Sequence, residues 1–256
     1  MSVLSRWLRR IIDRSIEHSL AKSALAQISA ERFRHELLQQ PRYADPRRLA
    51  RFEHQVYSQG GEDGIVREIF RRIGETDRVF VELGAGDGLE NGTAFLLMQG
   101  WSGTWFEGSQ KNVAAIRERC ARWIAAGTLR LREDVVTAEN AARLLLDGLR
   151  GPEFDFLSLD LDRNTYHVWA ALGALKPRVV AIEYNAQFPA DMAWTVDYDA
   201  ARWWNGTIYY GASLKALETL GARLGYALVG CDIAGVNAFF VRADLVGDRF
   251  AAPFSA

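Results

Sequence analysis

The segment Val81-Glu82-Leu83-Gly84-Ala85-Gly86-Asp87-Gly88 constrains the fold more than any other stretch of the chain. The residues that lead into it, Arg78–Leu83, are β-branched and aromatic, the composition of a buried strand. Glycines then recur at alternate positions. Glycine reaches backbone angles closed to other residues, and it lacks the Cβ that would hold a ligand away from the main chain. A strand that runs straight into such a turn marks an α/β sheet whose ligand lies at the carboxyl ends of the strands. Two cofactor types compete for this geometry. A dinucleotide fingerprint would place a small residue three positions after the second glycine, but position 89 is leucine. That disfavours an NAD-dependent oxidoreductase. The spacing Glu82-x-Gly84-x-Gly86-x-Gly88 suits a nucleoside with no pyrophosphate to cradle.

Around this turn the pattern alternates between strand and helix. Gly103–Phe106, Thr128–Arg132, Phe154–Leu161 and Arg178–Tyr184 have strand character. Thr93–Gln99, Lys111–Ala126, Ala138–Leu149, Tyr166–Leu175 and Ser213–Leu224 have helical periodicity. Such alternation gives a parallel sheet with helices on both faces. Ala227–Cys231 and Ala238–Arg242 follow as a pair of strands joined by a short glycine-containing loop, a C-terminal antiparallel hairpin that closes the sheet. One α/β domain over residues 51–250 accounts for this pattern. Residues 1–50 form a helical extension and linker, with Pro41 and Pro46 bracketing the link.

Composition narrows the partners. The net charge of −1 gives no general attraction to nucleic acid. Two cysteines, Cys120 and Cys231, match no metal or redox spacing. No apolar run reaches the ~20 residues of a membrane span, and charges interrupt any signal-peptide core at the start. The cytoplasm is the expected compartment. Residues 1–40 place Leu4, Trp7, Leu8, Ile11, Ile12 and Ile16 at helical spacing among arginines. A basic amphipathic helix of this kind lies on an anionic membrane surface, or packs on the main domain or a second subunit.

Acids recur at the strand ends. Glu107 ends the strand after the glycine turn, where a carboxylate accepts hydrogen bonds from both ribose hydroxyls. Asp134 follows the next strand. Asp160 and Asp162 leave the Phe154–Leu161 strand, and Glu183 and Asn185 leave the one after it. These two exits are neighbours in a doubly wound sheet. Asp160, Glu183 and Asn185 are therefore candidate ligands for a hard divalent cation such as Mg²⁺, with Asp162 as general base and His167 in reserve.

The chain resembles the class I S-adenosylmethionine-dependent methyltransferases, particularly the FkbM-like group. The resemblance is carried by Tyr57-Ser58-Gln59-Gly60-Gly61-Glu62-Asp63-Gly64-Ile65, by Phe80–Gly88, by Asp155–Asp162 and by Ile182–Asn185. It implies a Rossmann-like methyltransferase fold and S-adenosylmethionine as cofactor. Gln59 and Glu82 would sit near the methionine end, Gly84 and Gly86 under the cofactor, and Asp134 at the adenine amino group. Asp160, Asp162 and Tyr166 are similar to the Asp-x-Asp and tyrosine of metal-dependent antibiotic-sugar O-methyltransferases. Leu159-Asp160-Leu161-Asp162 departs from the Asp-x-Glu-Gly form common in the FkbM-like group.

The expected activity is O-methylation of a sugar, glycan or other hydroxylated small molecule. The stretch Trp203–Gly211 and the insertion that begins at Phe188 are candidate acceptor loops. The alternatives are a nitrogen or protein acceptor, or a silent nucleoside-binding module in a glycan-assembly complex.

Overall fold

The computed structural model describes Leu25 and residues 28–256. Most of the helix read into residues 1–40 lies outside the described residues. The chain divides into two compact units, Met1–Ala44 and Asp45–Ala256. In the first, residues 28–38 are helical and largely exposed. The second carries the sheet and begins upstream of residue 51, because Leu49, in the short 3-10 turn Leu49–Phe52, is buried in its core. No helix among the described residues is long and apolar enough to cross a membrane.

Seven strands form one sheet in the order β3-β2-β1-β4-β5-β7-β6. They are β1 (Val79–Leu83), β2 (Ser102–Glu107), β3 (Leu129–Glu133), β4 (Glu153–Leu159), β5 (Lys176–Glu183), β6 (Tyr226–Cys231) and β7 (Asn237–Arg242). The first five run parallel, and β7 enters antiparallel between β5 and β6. This is the expected Rossmann-like α/β sheet with its C-terminal antiparallel hairpin.

Alternating side chains divide the core into two layers. Val81, Leu83, Leu157, Leu159, Val180 and Ile182 face α5 (Ala141–Leu146), α6 (Thr165–Ala171) and α7 (Leu214–Leu224). Phe80, Trp105, Phe156, Val179 and Ala181 face the opposite layer, which holds α1 (Glu62–Ile73), α2 (Ala94–Met98) and α3 (Gln110–Arg119). Two smaller helices, α4 (Ala121–Ala125) and α8 (Ala243–Val246), complete the set. Strands buried on both faces favour continuous apolar runs: β5 has one in Val179–Ile182, while β4 interrupts its own with buried Asp155 and Ser158.

Several element bounds differ from the sequence periodicity for identifiable reasons. Lys111–Ala126 is broken into α3 and α4 at Cys120, whose N–H still bonds the Ile116 carbonyl. The next helix starts only at Ala141, because the Asn140 side chain ties the preceding turn through Thr137 N–H and the Val135 carbonyl.

Position 84 fixes where β1 and β4 meet. Asp160 N–H donates to the Leu83 carbonyl at 3.0 Å, carrying the strand pairing one residue past β4. A Cβ on Gly84 would lie 1.8 Å from the Asp160 carbonyl oxygen, and φ there is +86°. Gly86 has φ +57° but open space around its Cβ position. Gly84→Ala is therefore expected to cost about 3 kcal/mol or more in urea unfolding, against about 1–2 kcal/mol for Gly86→Ala. Equal losses at the two positions would show that the strand ends separate freely.

Candidate functional site

The carboxyl ends of the parallel strands open into two cavities that share Gly84 and Asp160. The first, of about 260 Å³, lies between the glycine turn and the start of α1. The second, of about 400 Å³, lies beyond β2 and β3.

Glu82 organises the first cavity. It sits on β1 facing the α1 layer, 2 % exposed. Its Oε2 accepts hydrogen bonds from Asn91 Nδ2 at 2.7 Å and Thr93 Oγ1 at 2.5 Å, and its Oε1 accepts from Gly92 N–H at 2.8 Å. The Trp105 indole N–H donates to Thr93 Oγ1 at 2.6 Å, which fixes that hydroxyl in turn. One carboxylate on a rigid strand thus holds the far side of the glycine loop in place. Burial pushes its pKa up to about 7 against these favourable hydrogen bonds.

The Ser58–Gly64 segment forms the opposite wall. Asp63 Oδ2 accepts three backbone N–H groups, from Val56, Tyr57 and Ser58, at 2.7–2.9 Å. Glu62 accepts Gly60 N–H at 2.8 Å and Asn237 Nδ2 at 2.9 Å, which ties the loop to the start of β7. Both acids stand in the first turn of α1, where the helix dipole favours negative charge. This arrangement gives a physical reason for the Gly-Gly-Glu-Asp order. Gln59, Glu82, Gly84 and Gly86 all line the cavity, as do Glu62, Asp87, Glu90 and Asn91. Asn91 is 7 % exposed, and its Oδ1 finds no donor among the described residues. Glu62 belongs to the segment that carries the resemblance but had no role assigned from the sequence, and Asn91 did not stand out. The only signal for Asn91 was the Asn-Gly-Thr turn that follows the glycines.

Glu107 and Asp134 line the second cavity together with Val135, Leu161, Asp162, Ala200 and Trp203. Glu107 Oε1 accepts Ser109 N–H at 2.8 Å. Asp134 is held by Arg132 at 3.0 Å, and the same guanidinium reaches Asp147 at 2.7 Å.

Between the cavities, Asp160, Asp162 and Glu183 bring carboxylate oxygens within 4.8 Å of one another. Asp162 has φ +52°, a conformation held by Gly211 N–H on its carbonyl and by the turn of the following loop. Asp160 is open to the cleft yet surrounded by protein on its other sides. Burial and then the Asp162 charge raise its pKa, and burial also raises that of Asp162. Glu183 is pushed up as well, by burial and then by the Asp160 and Asp162 charges, and its Oε2 is buried without a hydrogen-bond partner. Three crowded carboxylates require a proton or a cation among them. All-oxygen donors of this kind suit Mg²⁺ or a similar hard ion.

Two sequence expectations are corrected. Asn185 does not join the cluster: its Nδ2 donates to the carbonyls of Ile208 and Tyr210, and its Oδ1 accepts Gln187 N–H. With both amide hydrogens donated and its oxygen turned to Gln187 N–H, it fastens the segment after β5. His167 is likewise structural. Its Nε2 lies 2.9 Å from the Val196 carbonyl, which can only accept, so that nitrogen carries the proton. The ring packs against Tyr166 and Tyr198 and lines neither cavity.

The segment from Ala186 to Ala212 has only one isolated bridge, Thr195–Ala212, and is otherwise irregular. It is tied down beside the acids by Asn164 on the Asp199 carbonyl, Arg163 on the Asp197 carbonyl, and His167 and Asn185 as above. Trp203 and Trp204 nevertheless stay 60 % and 52 % exposed.

No protein family and no curated protein matches the chain. Among solved structures, the N-terminal domain of EvdMO1 with SAH bound is 18% identical, with 81% of this chain and 95% of that one covered and a TM-score of 0.46. A putative sarcosine dimethylglycine methyltransferase from Galdieria sulphuraria is 15% identical over 73% of this chain and 89% of that one, TM-score 0.43. The O-methyltransferase NcsB1 from neocarzinostatin biosynthesis, in complex with S-adenosylmethionine and a naphthoic acid, is 19% identical over 70% and 52%, TM-score 0.42. The fold assignment rests on the strand order of this chain itself.

The burial of Glu82 has a consequence for stability. Its folded pKa, about 7, lies above the ordinary 4.5, so the folded state binds this proton more tightly than the unfolded state does. The contribution is fully present below pH 4.5 and is lost as pH rises to about 7. The stability difference between wild type and Glu82→Gln, measured by urea unfolding, should fall by ~3 kcal/mol over that window. A difference independent of pH would mean that Glu82 is ionised throughout.

Proposed function

We propose that the chain is an S-adenosylmethionine-dependent methyltransferase that transfers to oxygen on a hydroxylated small molecule such as a sugar or glycan. The observation that carries this reading is the pair of joined cavities over Gly84. One is walled by acids and the Glu82-held glycine loop, and the other by Glu107 and Asp134. A cofactor with a cationic amino-acid end and a neutral nucleoside end matches that division.

When bound, S-adenosylmethionine supplies a methyl group on an electrophilic sulfonium. The residues of the chain do the rest. Gln59, Glu62 and the unpartnered Asn91 Oδ1 offer hydrogen-bonding groups to an ammonium in the first cavity. Gly84 and Gly86 let the backbone approach the ligand, with Glu82 keeping the loop rigid beneath it. In the second cavity, which Glu107, Asp134 and Val135 line, Glu107 would accept from the ribose hydroxyls, and Asp134 and Val135 would face the nucleobase. Asp162 accepts the proton of the acceptor hydroxyl as general base.

Asp160, Asp162 and Glu183 would hold a divalent cation, each through one carboxylate oxygen. That ion would lower the pKa of the acceptor hydroxyl, and the second oxygen of Asp162 would stay free for the proton. The irregular segment after β5 forms the acceptor side of the site. Its mixture of exposed rings and amide groups suits the C–H faces and hydroxyls of a sugar. Residues 1–40 would serve as a membrane or subunit contact, and the unit Asp45–Ala256, which contains the expected 51–250 domain, as the catalytic part.

Calorimetric titration with S-adenosylhomocysteine should give saturable binding, weakened roughly 10- to 100-fold in Glu107→Ala. Absence of binding to the wild type would remove the methyltransferase reading. In a second titration Mg²⁺ should bind the wild type and fail to bind Asp160→Asn/Asp162→Asn. Equal binding by both would remove the cation from the proposal while leaving the cofactor in place.

A further inference from the structure

The two cavities are lined by eight carboxylates, Glu62, Glu82, Asp87, Glu90, Glu107, Asp134, Asp160 and Asp162, and by no lysine, arginine or histidine. Glu183 adds a ninth beside Asp160 and Asp162. Most arginines at the rim are already paired, and among the described residues Arg163 sets one charge without a carboxylate partner against the acids. Among the described residues, Arg119 is paired with Asp87 and Arg132 with Asp134 and Asp147, while Arg202 is paired with Asp199 on the neighbouring segment. Arg163, next to Asp162, is buried with its guanidinium 4.9 Å from the centre of the Tyr209 ring and one nitrogen on the Asp197 carbonyl. Six of the eight lining acids therefore have no basic partner among the described residues.

Acidity at this level exceeds what the proposed cofactor uses. S-adenosylmethionine carries a net charge of +1, from a sulfonium, an ammonium and a carboxylate. A divalent cation adds two more. Even without Glu82 and Glu183, whose burial favours the protonated form, and without the arginine-paired Asp87 and Asp134, five lining acids stand against those three charges and the Arg163 guanidinium. A concave site with walls of low dielectric focuses the remaining negative field on whatever enters next.

A second feature bears on the same entrant. Trp203 lines the second cavity, and Trp204 stands beside it with its indole N–H donated to the Thr207 carbonyl at 2.7 Å. Ile208 and Tyr209 are also exposed. Their segment is anchored at Ile208, Tyr210 and Gly211 through the Asn185 amide and the Asp162 carbonyl, which keeps it beside the acids. Exposed rings there offer a surface for the apolar face of a ring-shaped ligand.

On the methyltransferase reading, we infer that the acceptor is an uncharged or cationic polyol whose apolar face rests on Trp203 and Trp204. It enters without phosphate or carboxylate, so sugar phosphates, nucleotide-activated sugars and uronic acids are excluded by repulsion from the cleft. An amino sugar or a neutral glycoside fits both the charge and the rings.

The field at the rings can be measured directly. Tryptophan emission of the full chain is quenched with caesium, iodide and acrylamide at low ionic strength, and the same series on Trp203→Phe/Trp204→Phe is subtracted. Matched thermal unfolding of the two proteins confirms that both are folded. Caesium should quench the Trp203 and Trp204 component about threefold or more better than iodide, and about 0.5 M NaCl should close the gap. Equal quenching, or stronger quenching by iodide, overturns the inference.

Transfer is then tested with methyl-labelled S-adenosylmethionine and a mixed pool of neutral glycosides, amino glycosides and sugar phosphates, with labelled products resolved from residual cofactor and identified by mass. Label on the neutral or amino glycosides supports the inference, and label confined to the sugar phosphates overturns it. The S-adenosylhomocysteine titration keeps the two readings apart. Loss of cofactor binding removes the methyltransferase, whereas an anionic acceptor with cofactor binding intact removes only this selection by charge.

Discussion

The approach of β1 to β4 at their carboxyl ends is the constraint on which the rest of the site depends. The two strands stay hydrogen-bonded past their last regular residues, and the Asp160 carbonyl occupies the space that a side chain at position 84 would need. Nothing can be inserted between the glycine turn and the Asp160–Asp162 loop. A ligand over the turn is therefore next to the acid cluster, and the two cavities join there. The fold sets this distance through backbone hydrogen bonds, which are short and directional, and leaves little of it to side-chain packing.

Glu82 converts that rigid floor into a shaped one. A carboxylate taken fully out of water is costly unless hydrogen bonds replace its solvation. Asn91, Gly92 and Thr93 supply them, and in doing so they bring the return of the glycine loop back onto β1. The same logic governs Asp63 and Glu62 across the cavity, each accepting the backbone N–H groups of its own loop. Acids with a visible structural task thus stand beside Asp160, Asp162 and Glu183, which crowd one another and have none. The contrast separates walls from working groups more clearly than burial does, since Glu82 and Glu183 are both withdrawn from water.

Polar residues after β4 and β5 fasten the segment between β5 and α7. Asn164, His167 and Asn185 all spend their hydrogen-bonding capacity on its main-chain carbonyls. An irregular segment lacks internal ladders, so its carbonyls need outside donors. Donor side chains near the carboxyl end of the sheet are available for that purpose.

Much of this was legible in the sequence. Apolar runs, glycine spacing and the alternation of periods specify a doubly wound sheet, its antiparallel end and the glycine turn at its carboxyl edge, because these follow from backbone sterics and burial that act locally. Strand-end positions also put Glu107, Asp134, Asp160 and Asp162 at the carboxyl edge, since a residue just past a parallel strand has no other place to go. What the sequence could not carry was direction. Asn185 and His167 have the residue types and spacing of working groups, and only the path of a distant segment decides that they bond to it instead. Glu62 and Asn91 enter the site for the converse reason, from loops brought in by contacts with β7 and β1. Which acids line a cavity is set locally, but which polar atoms remain free depends on every hydrogen bond made across the fold, and that is settled only in three dimensions.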